Sequence, residues 1–294
     1  MALIDPRTKY PKAFPKEDRQ EDPGLDIKMT TEPDLGLDSY KGSGKLTDRR
    51  ALITGGDSGI GAATAIAYAR EGADVAIAYL PEEQEDADRI IKAIEAEGRK
   101  AVAIPGDLRD RDTCVSTIRQ AVDALGGLDI LINNASRQVW NDGISNISDE
   151  DFDDTMKTNI YAAFYLTKEA VNHMPPGSSI IFSTSIQAYD PSKELLDYAI
   201  TKAAFNNFAK GLSGELLPSK GIRVNAVAPG PIWTVIQPAE GQPQEVVDEF
   251  GQGSVIGRPG QPAELAGAYV FLASEDASYI NGQTIGVTGG ALTP

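Results

Sequence analysis

Short apolar runs alternate with longer stretches of helical period along most of this chain. The runs lie at 50–53, 75–79, 101–105, 128–132, 180–183, 222–228 and 284–287, and each reads as a short buried strand. Between them the apolar positions recur every three to four residues. An alanine-rich helix is predicted over 62–70, and long helices over 149–173 and 195–218. Strand–helix alternation of this kind predicts an α/β class and a doubly wound parallel sheet. Residues 1–45 break the pattern. They carry five prolines and many charges with neither period, and predict an extended or flexible N-terminal arm. The alternatives are a loose tail or an arm packed along its own domain or a neighbour, with Leu35, Leu37 and Tyr40 as apolar anchors.

Composition adds little to the fold and more to the chemistry. A chain of 294 residues accommodates one large domain, here 46–294. No apolar run approaches the roughly 20 residues of a membrane span, and the N-terminus shows no signal-peptide core. With one cysteine there is no intrachain disulfide, and a cytoplasmic location is expected. The net charge of −16 argues against nucleic-acid and anionic-membrane partners, which require basic patches. Lys210, Lys220 and Arg223 are the residues from which a local basic patch could be built. No metal site is expected.

One histidine, His173, and one cysteine, Cys114, leave little room for imidazole or thiolate catalysis. A tyrosine acid/base remains. Tyr198 and Lys202 share one helical face at i and i+4, with Ser185 thirteen residues before Tyr198. A free tyrosine has a pKa of about 10, so acting as a base near neutrality costs about 4 kcal/mol. An ammonium about 4 Å away at an effective dielectric near 20 supplies about that much, and the arithmetic closes with one lysine. Alone, the pair is better explained by chance on a helix. The segment Thr54-Gly55-Gly56-Asp57-Ser58-Gly59-Ile60-Gly61 changes this, because a glycine-rich turn between strand and helix brings backbone close to a pyrophosphate.

These motifs, with Gly106-Asp107-Leu108, Asn133-Asn134-Ala135-Ser136, Asn159 and Pro229-Gly230-Pro231-Ile232, occur in the order and spacing of the short-chain dehydrogenase/reductase family, which the chain resembles over residues 48–290. The arm and the runs 53–61, 76–80 and 228–234 resemble the general-stress and glucose/ribitol dehydrogenase-like branch. The resemblance implies a single Rossmann-type domain with a mostly parallel seven-stranded sheet in the order 3-2-1-4-5-6-7, and a family-type homotetramer. It implies Tyr198 as general acid/base, Lys202 lowering its pKa and holding the nicotinamide ribose, Ser185 bonding the substrate oxygen, and Asn159 holding a water beside Lys202. Ser183 is the alternative to Ser185 but lacks the family's offset.

For the cofactor it implies Gly55, Ser58, Gly59, Ile60 and Gly61 around the pyrophosphate, and Tyr79 and Leu80 at the end of the second strand. Asp107 and Leu108 would border the adenine, Asn133 and Ala135 the adenosine and ribose side, and Pro229, Gly230, Ile232 and Thr234 the nicotinamide amide. Ser136 departs from the family's usual glycine. Neither an acid nor a basic clamp marks the ribose position; Asp57, Glu82, Glu83, Glu85 and Asp86 make the surroundings negative and favour NAD over NADP. Gln138, Trp140, Gln187 and Trp233, with a lid at about 231–260, are the expected substrate contacts; for the tryptophans, ordinary packing is the alternative. The expected activity is hydride transfer between nicotinamide and a small alcohol or carbonyl compound (aldehyde, ketone, sugar or polyol). A 3-oxoacyl-(acyl carrier protein) reductase, disfavoured by the acidity, a non-catalytic dinucleotide sensor and a dehydratase or epimerase are the other readings.

Overall fold

The computed structural model describes residues 3–291. Seven strands, β1 (Arg50–Thr54), β2 (Asp74–Tyr79), β3 (Ala101–Pro105), β4 (Ile130–Asn133), β5 (Ser179–Ser183), β6 (Arg223–Pro229) and β7 (Thr284–Val287), form one sheet. Its order is β3-β2-β1-β4-β5-β6-β7, and every pairing is parallel. The order reverses between β1 and β4, the switch point at which such sheets open a crevice. Apart from the edge strands β3 and β7 the strands are largely buried, which explains their continuous apolar runs.

Helices cover both faces. On one lie α1 (Gly59–Arg70), α2 (Gln84–Ala96) and α7 (Ala263–Ala273); on the other α3 (Arg111–Leu125), α4 (Asp149–Met156), α5 (Ala162–Ala170) and α6 (Leu196–Lys220). The alanines of α1 are nearly all buried, and small side chains let this helix press between the sheet and Leu265, Ala266 and Tyr269 of α7. Asp110 caps α3 by accepting the Thr113 N–H at 2.7 Å, and Ser148 caps α4 by accepting that of Asp151 at 3.0 Å. The helix expected over 149–173 is interrupted: a wider π-type turn, Lys157–Tyr161, separates α4 from α5 and contains Asn159.

The arm packs against its own domain. Glu17 accepts the N–H groups of Thr30 and Thr31, both at 2.7 Å, folding the arm back on itself. The Arg258 guanidinium, 1% exposed, donates to the Pro6 carbonyl at 2.9 Å while paired with Glu264. Arg70 binds the carbonyls of Gly36, Leu37 and Tyr40. A third apolar cluster joins arm to lid: Phe14 and Met29 meet Trp233, Val235, Ala239 and Val247. Burying side chains of this size contributes about 1.5–3 kcal/mol each, which is why a segment with almost no secondary structure holds a defined path.

Candidate active site

A cleft of about 600 Å³ lies outside the carboxyl ends of the strands. Gly55, Tyr79, Leu80, Gly106, Asn134, Ser183, Ser185 and Pro229 reach it because each stands at or just past the end of its strand. Ser58, Gly59, Ile60, Asp107, Leu108, Ala135, Gly230, Ile232 and Thr234 also line it, as do Gln138, Gln187, Tyr198 and Lys202. Gly55 and Gly59 adopt φ values of +58° and +48°, which a side chain would strain, so the turn into α1 requires glycine at both. These residues fit a dinucleotide: a glycine turn on a helix N-terminus at the middle, apolar Leu80 and Leu108 at one end, and the Tyr198 region at the other.

At the Tyr198 end, α6 carries both members of the pair. Lys202 is 1% exposed; its Nζ donates to the Ser183 carbonyl at 3.0 Å and lies 5.2 Å from the Tyr198 ring centroid. Burial pushes the lysine down to about 7. Tyr198 keeps one face open to the cleft, yet burial among the surrounding atoms pushes its phenol up to about 12, with the Ser185 hydroxyl beside it pulling the other way. The single-lysine arithmetic therefore does not close in this structure. It left out the desolvation of both groups.

Ser185 is the free hydroxyl of the two serines. Its oxygen accepts only the Gln187 N–H, at 3.1 Å, whereas Ser183 Oγ donates to Asn134 Oδ1 at 2.9 Å and lies 2.6 Å from the Tyr269 hydroxyl. Asn159 is buried beneath the cleft. Its Oδ1 accepts the Arg137 N–H at 2.8 Å, and its Nδ2 donates to the Arg137 carbonyl at 3.0 Å and to Thr201 Oγ1 at 3.1 Å. The wide turn aims this side chain inward onto Thr201, the residue before Lys202, with no direct hydrogen bond to Lys202.

Five expectations are corrected. Trp233 is fully buried, stacked on Phe14 of the arm at 4.0 Å with its indole N–H donated to the Thr31 carbonyl, so it cannot face a substrate. Trp140 does not line the cleft; its backbone N–H binds the Glu240 carbonyl of the lid. Asn133 points below the sheet to Thr167, leaving its neighbour Asn134 to line the cleft. Gly61 also lies off the cleft: a Cβ there would stand 1.7 Å from the Gly55 carbonyl oxygen, so this glycine serves helix–strand packing. Arg223 is buried against the carbonyls of Leu272 and Ser274, so it forms no basic patch with Lys210 and Lys220. Sequence reasoning also missed Asp22 and Pro23 of the arm, and Arg109 and Arg137, all of which line the cleft, as does Phe250 of the expected lid. No periodicity or motif points to them, because they arrive on loops and on the arm. Among the described residues no cluster of carboxylates, histidines or cysteines is arranged to hold a metal, and no helix is long and apolar enough to cross a membrane.

Comparison with known proteins agrees with this geometry. Residues 55–291 match the family model described as enoyl-(acyl carrier protein) reductase. The chain is 53% identical to YghA of Escherichia coli, named an uncharacterized oxidoreductase, over 98% of both proteins. It is 42% identical to the glucose and ribitol dehydrogenase of Daucus carota, over 95% of this chain and 97% of that one. Among solved structures, a short-chain dehydrogenase from Burkholderia cenocepacia in complex with NADP superposes with a TM-score of 0.78 at 34% identity, covering 84% of this chain and 98% of that one. With this sheet order, this glycine turn and relatives matched over nearly their whole length, the chain belongs to the short-chain dehydrogenase/reductase family and is an oxidoreductase of that family.

Proposed function

We propose that the protein is a nicotinamide-dependent dehydrogenase/reductase acting on a small, polar alcohol or carbonyl compound. The observation that carries this reading is the convergence of Ser185, Tyr198 and Lys202 at one end of a cleft whose middle is the Gly55–Gly61 turn. The cofactor, when bound, supplies or takes the hydride. Tyr198 exchanges the proton with the substrate oxygen, Ser185 donates a hydrogen bond to that oxygen as its charge changes, and Lys202 orients the ribose. Asn159, bonded to Arg137 and Thr201, holds a water that links Lys202 to bulk solvent, so that protons are replaced.

NAD is favoured over NADP because the adenosine end is crowded with carboxylates: Glu82 and Glu83 line the cleft, and Asp57 and Asp86 are buried behind it. Arg109, the cation nearby, is already paired with Asp107 at 2.8 Å and Asp154 at 2.7 Å. Gln138 and Gln187 suit a hydroxylated substrate, and the name of the carrot relative points to sugars or polyols. An acyl-carrier-bound substrate is disfavoured by the charge of −16 and by the burial of Arg223. Phe152, Tyr161, Phe164 and Ile200, each more than 40% exposed on α4–α6 and the turn between them, support assembly into a homotetramer, and a cytoplasmic location fits the single buried cysteine.

The test is Tyr198→Phe. We expect turnover to fall at least about 100-fold while the reduced dinucleotide still binds, read from nicotinamide fluorescence. Turnover comparable to the parent would sink the assignment. Assaying aldehydes, ketones and polyols with NAD(H) and NADP(H) separately fixes substrate class and cofactor.

A further inference from the structure

The arm does more than pack beside the lid; it delivers a carboxylate to the dinucleotide turn itself. Asp26, 1% exposed, accepts the N–H of Gly59, the first residue of α1, on its Oδ2 at 2.8 Å. Ser58, at the N-cap position, makes no side-chain cap, so Asp26 from 33 residues away does that work. Asp86 of α2 holds Asp26 in place by accepting the backbone N–H groups of Asp26 at 2.6 Å and Ile27 at 3.1 Å. The neighbouring N–H of Ile60, which lines the cleft, makes no hydrogen bond among the described residues. One helix end thus presents two adjacent donors, one taken by the arm and one open to a ligand.

The charges around Asp26 are unbalanced. Its Oδ1 is buried and makes no well-formed hydrogen bond, though the Val235 N–H of the lid faces this carboxyl and favours its charged form; both oxygens of Asp57 in the turn are buried without a partner. Glu83 after β2 and Asp86 on α2 add negative charge, and Asp22 of the arm faces Glu83. The cation within reach, Arg89 of α2, is already bonded to Glu32 at 2.7 Å. Burial, reinforced by Asp86, holds the Asp26 carboxyl up at about 7. A diphosphate arriving on this helix end brings further negative charge, which favours the protonated acid.

Resting on the dehydrogenase reading above, we propose that Asp26 is a cofactor-positioning residue that caps the dinucleotide turn from the arm and takes up a proton from solvent when a diphosphate binds beside it. The proton resides on Oδ1, and the Gly59 hydrogen bond to Oδ2 is kept. Linkage then fixes the sign: binding weakens as pH rises above about 7, because the carboxylate must be re-protonated, and is flat below.

ADP-ribose tests this in the full-length chain, since its diphosphate does not titrate near neutrality and it lacks the nicotinamide. Calorimetry in buffers of differing ionisation enthalpy counts protons directly. At pH 8 we expect the parent to take up close to one proton per ADP-ribose, with affinity falling by up to about tenfold per pH unit above neutrality. Asp26→Asn keeps the acceptor for Gly59 but cannot titrate, and should bind with no uptake and a flat profile. Equal uptake in Asp26→Asn and parent, or uptake lost in Asp57→Asn and retained in Asp26→Asn, overturns the proposal. Thermal melting establishes that each variant is folded. Failure of the parent to bind ADP-ribose or NADH at all would instead sink the dehydrogenase reading.

Discussion

Burial raises the Tyr198 phenol to about 12 and lowers the adjacent lysine to about 7. Both shifts come from burial, and both make the Ser185 hydroxyl more important, since it is the group that pulls the phenol back. Ser185→Ala should lower kcat by about 10²–10³, the range found for loss of one donor to a developing oxyanion, with little change in melting temperature. Ser183→Ala should behave in the opposite way. Its hydroxyl joins Asn134 to Tyr269 inside the protein, so stability falls and kcat changes less; steady-state kinetics beside a thermal melt separates the two. The difference between these serines was legible, because a thirteen-residue offset is a one-dimensional quantity. Which of Asn133 and Asn134 faces the cleft was not. At the end of a strand successive side chains alternate, and a one-residue error in the boundary swaps them.

At the scale of elements, the arm and the lid share one small core. Phe14 stacks on Trp233 with an interplanar angle of 16°, and Met29, Val235, Ala239 and Val247 close around them. Phe14→Ala removes one of the two rings and should cost about 3–5 kcal/mol locally. We expect faster cleavage of the arm by protease and a weaker dinucleotide complex, because Asp22, Pro23 and Val235 all line the cleft. An arm that resists protease as before would count against the coupling. Each strand was legible as an apolar run to within about two residues, and for the five inner strands burial on both faces leaves an uninterrupted signal. The lid and arm were not: their anchors, Phe14, Trp233 and Arg258, are isolated residues whose partners lie more than 200 positions away in the chain. The break between α4 and α5 was equally hidden, because Asn159 disfavours a helix interior without specifying a wider turn.

Over the whole molecule, the acidic surface and the buried carboxylates act on stability in the same direction. Asp26 and Glu83 sit at about 7 in the folded chain against ordinary values of 3.8 and 4.5. Between those limits the unfolded chain has released protons that the folded chain retains, so stability falls as pH rises toward about 7. Self-repulsion at a net charge of −16 adds to the trend. The melting temperature should therefore drop between pH 5 and pH 7, above which buried Lys202, lowered to about 7, pulls the other way; a constant or rising value between pH 5 and pH 7 would contradict the burial of these acids. Assembly has its own test. Phe164 is 45% exposed and Tyr161 47% exposed on the same stretch of the molecule, and Phe164→Asp should lower the mass measured by light scattering.

The Phe14–Trp233 stack has one more consequence. Residues 41–45, which join arm to body, are exposed and held at Ser43 and Lys45, whose N–H groups donate to Glu71 at 2.8 and 2.9 Å, while the rest of the arm is gripped separately by Trp233 and Arg258. Most of the arm's contacts therefore do not depend on the joint being intact. Cut at 41–45, the N-terminal piece should stay seated as a bound peptide, and an arm peptide added to a body lacking it should restore ADP-ribose affinity in trans. The first 40 residues then behave as a tethered ligand of the enzyme, whose local concentration the tether sets and whose removal can be titrated back.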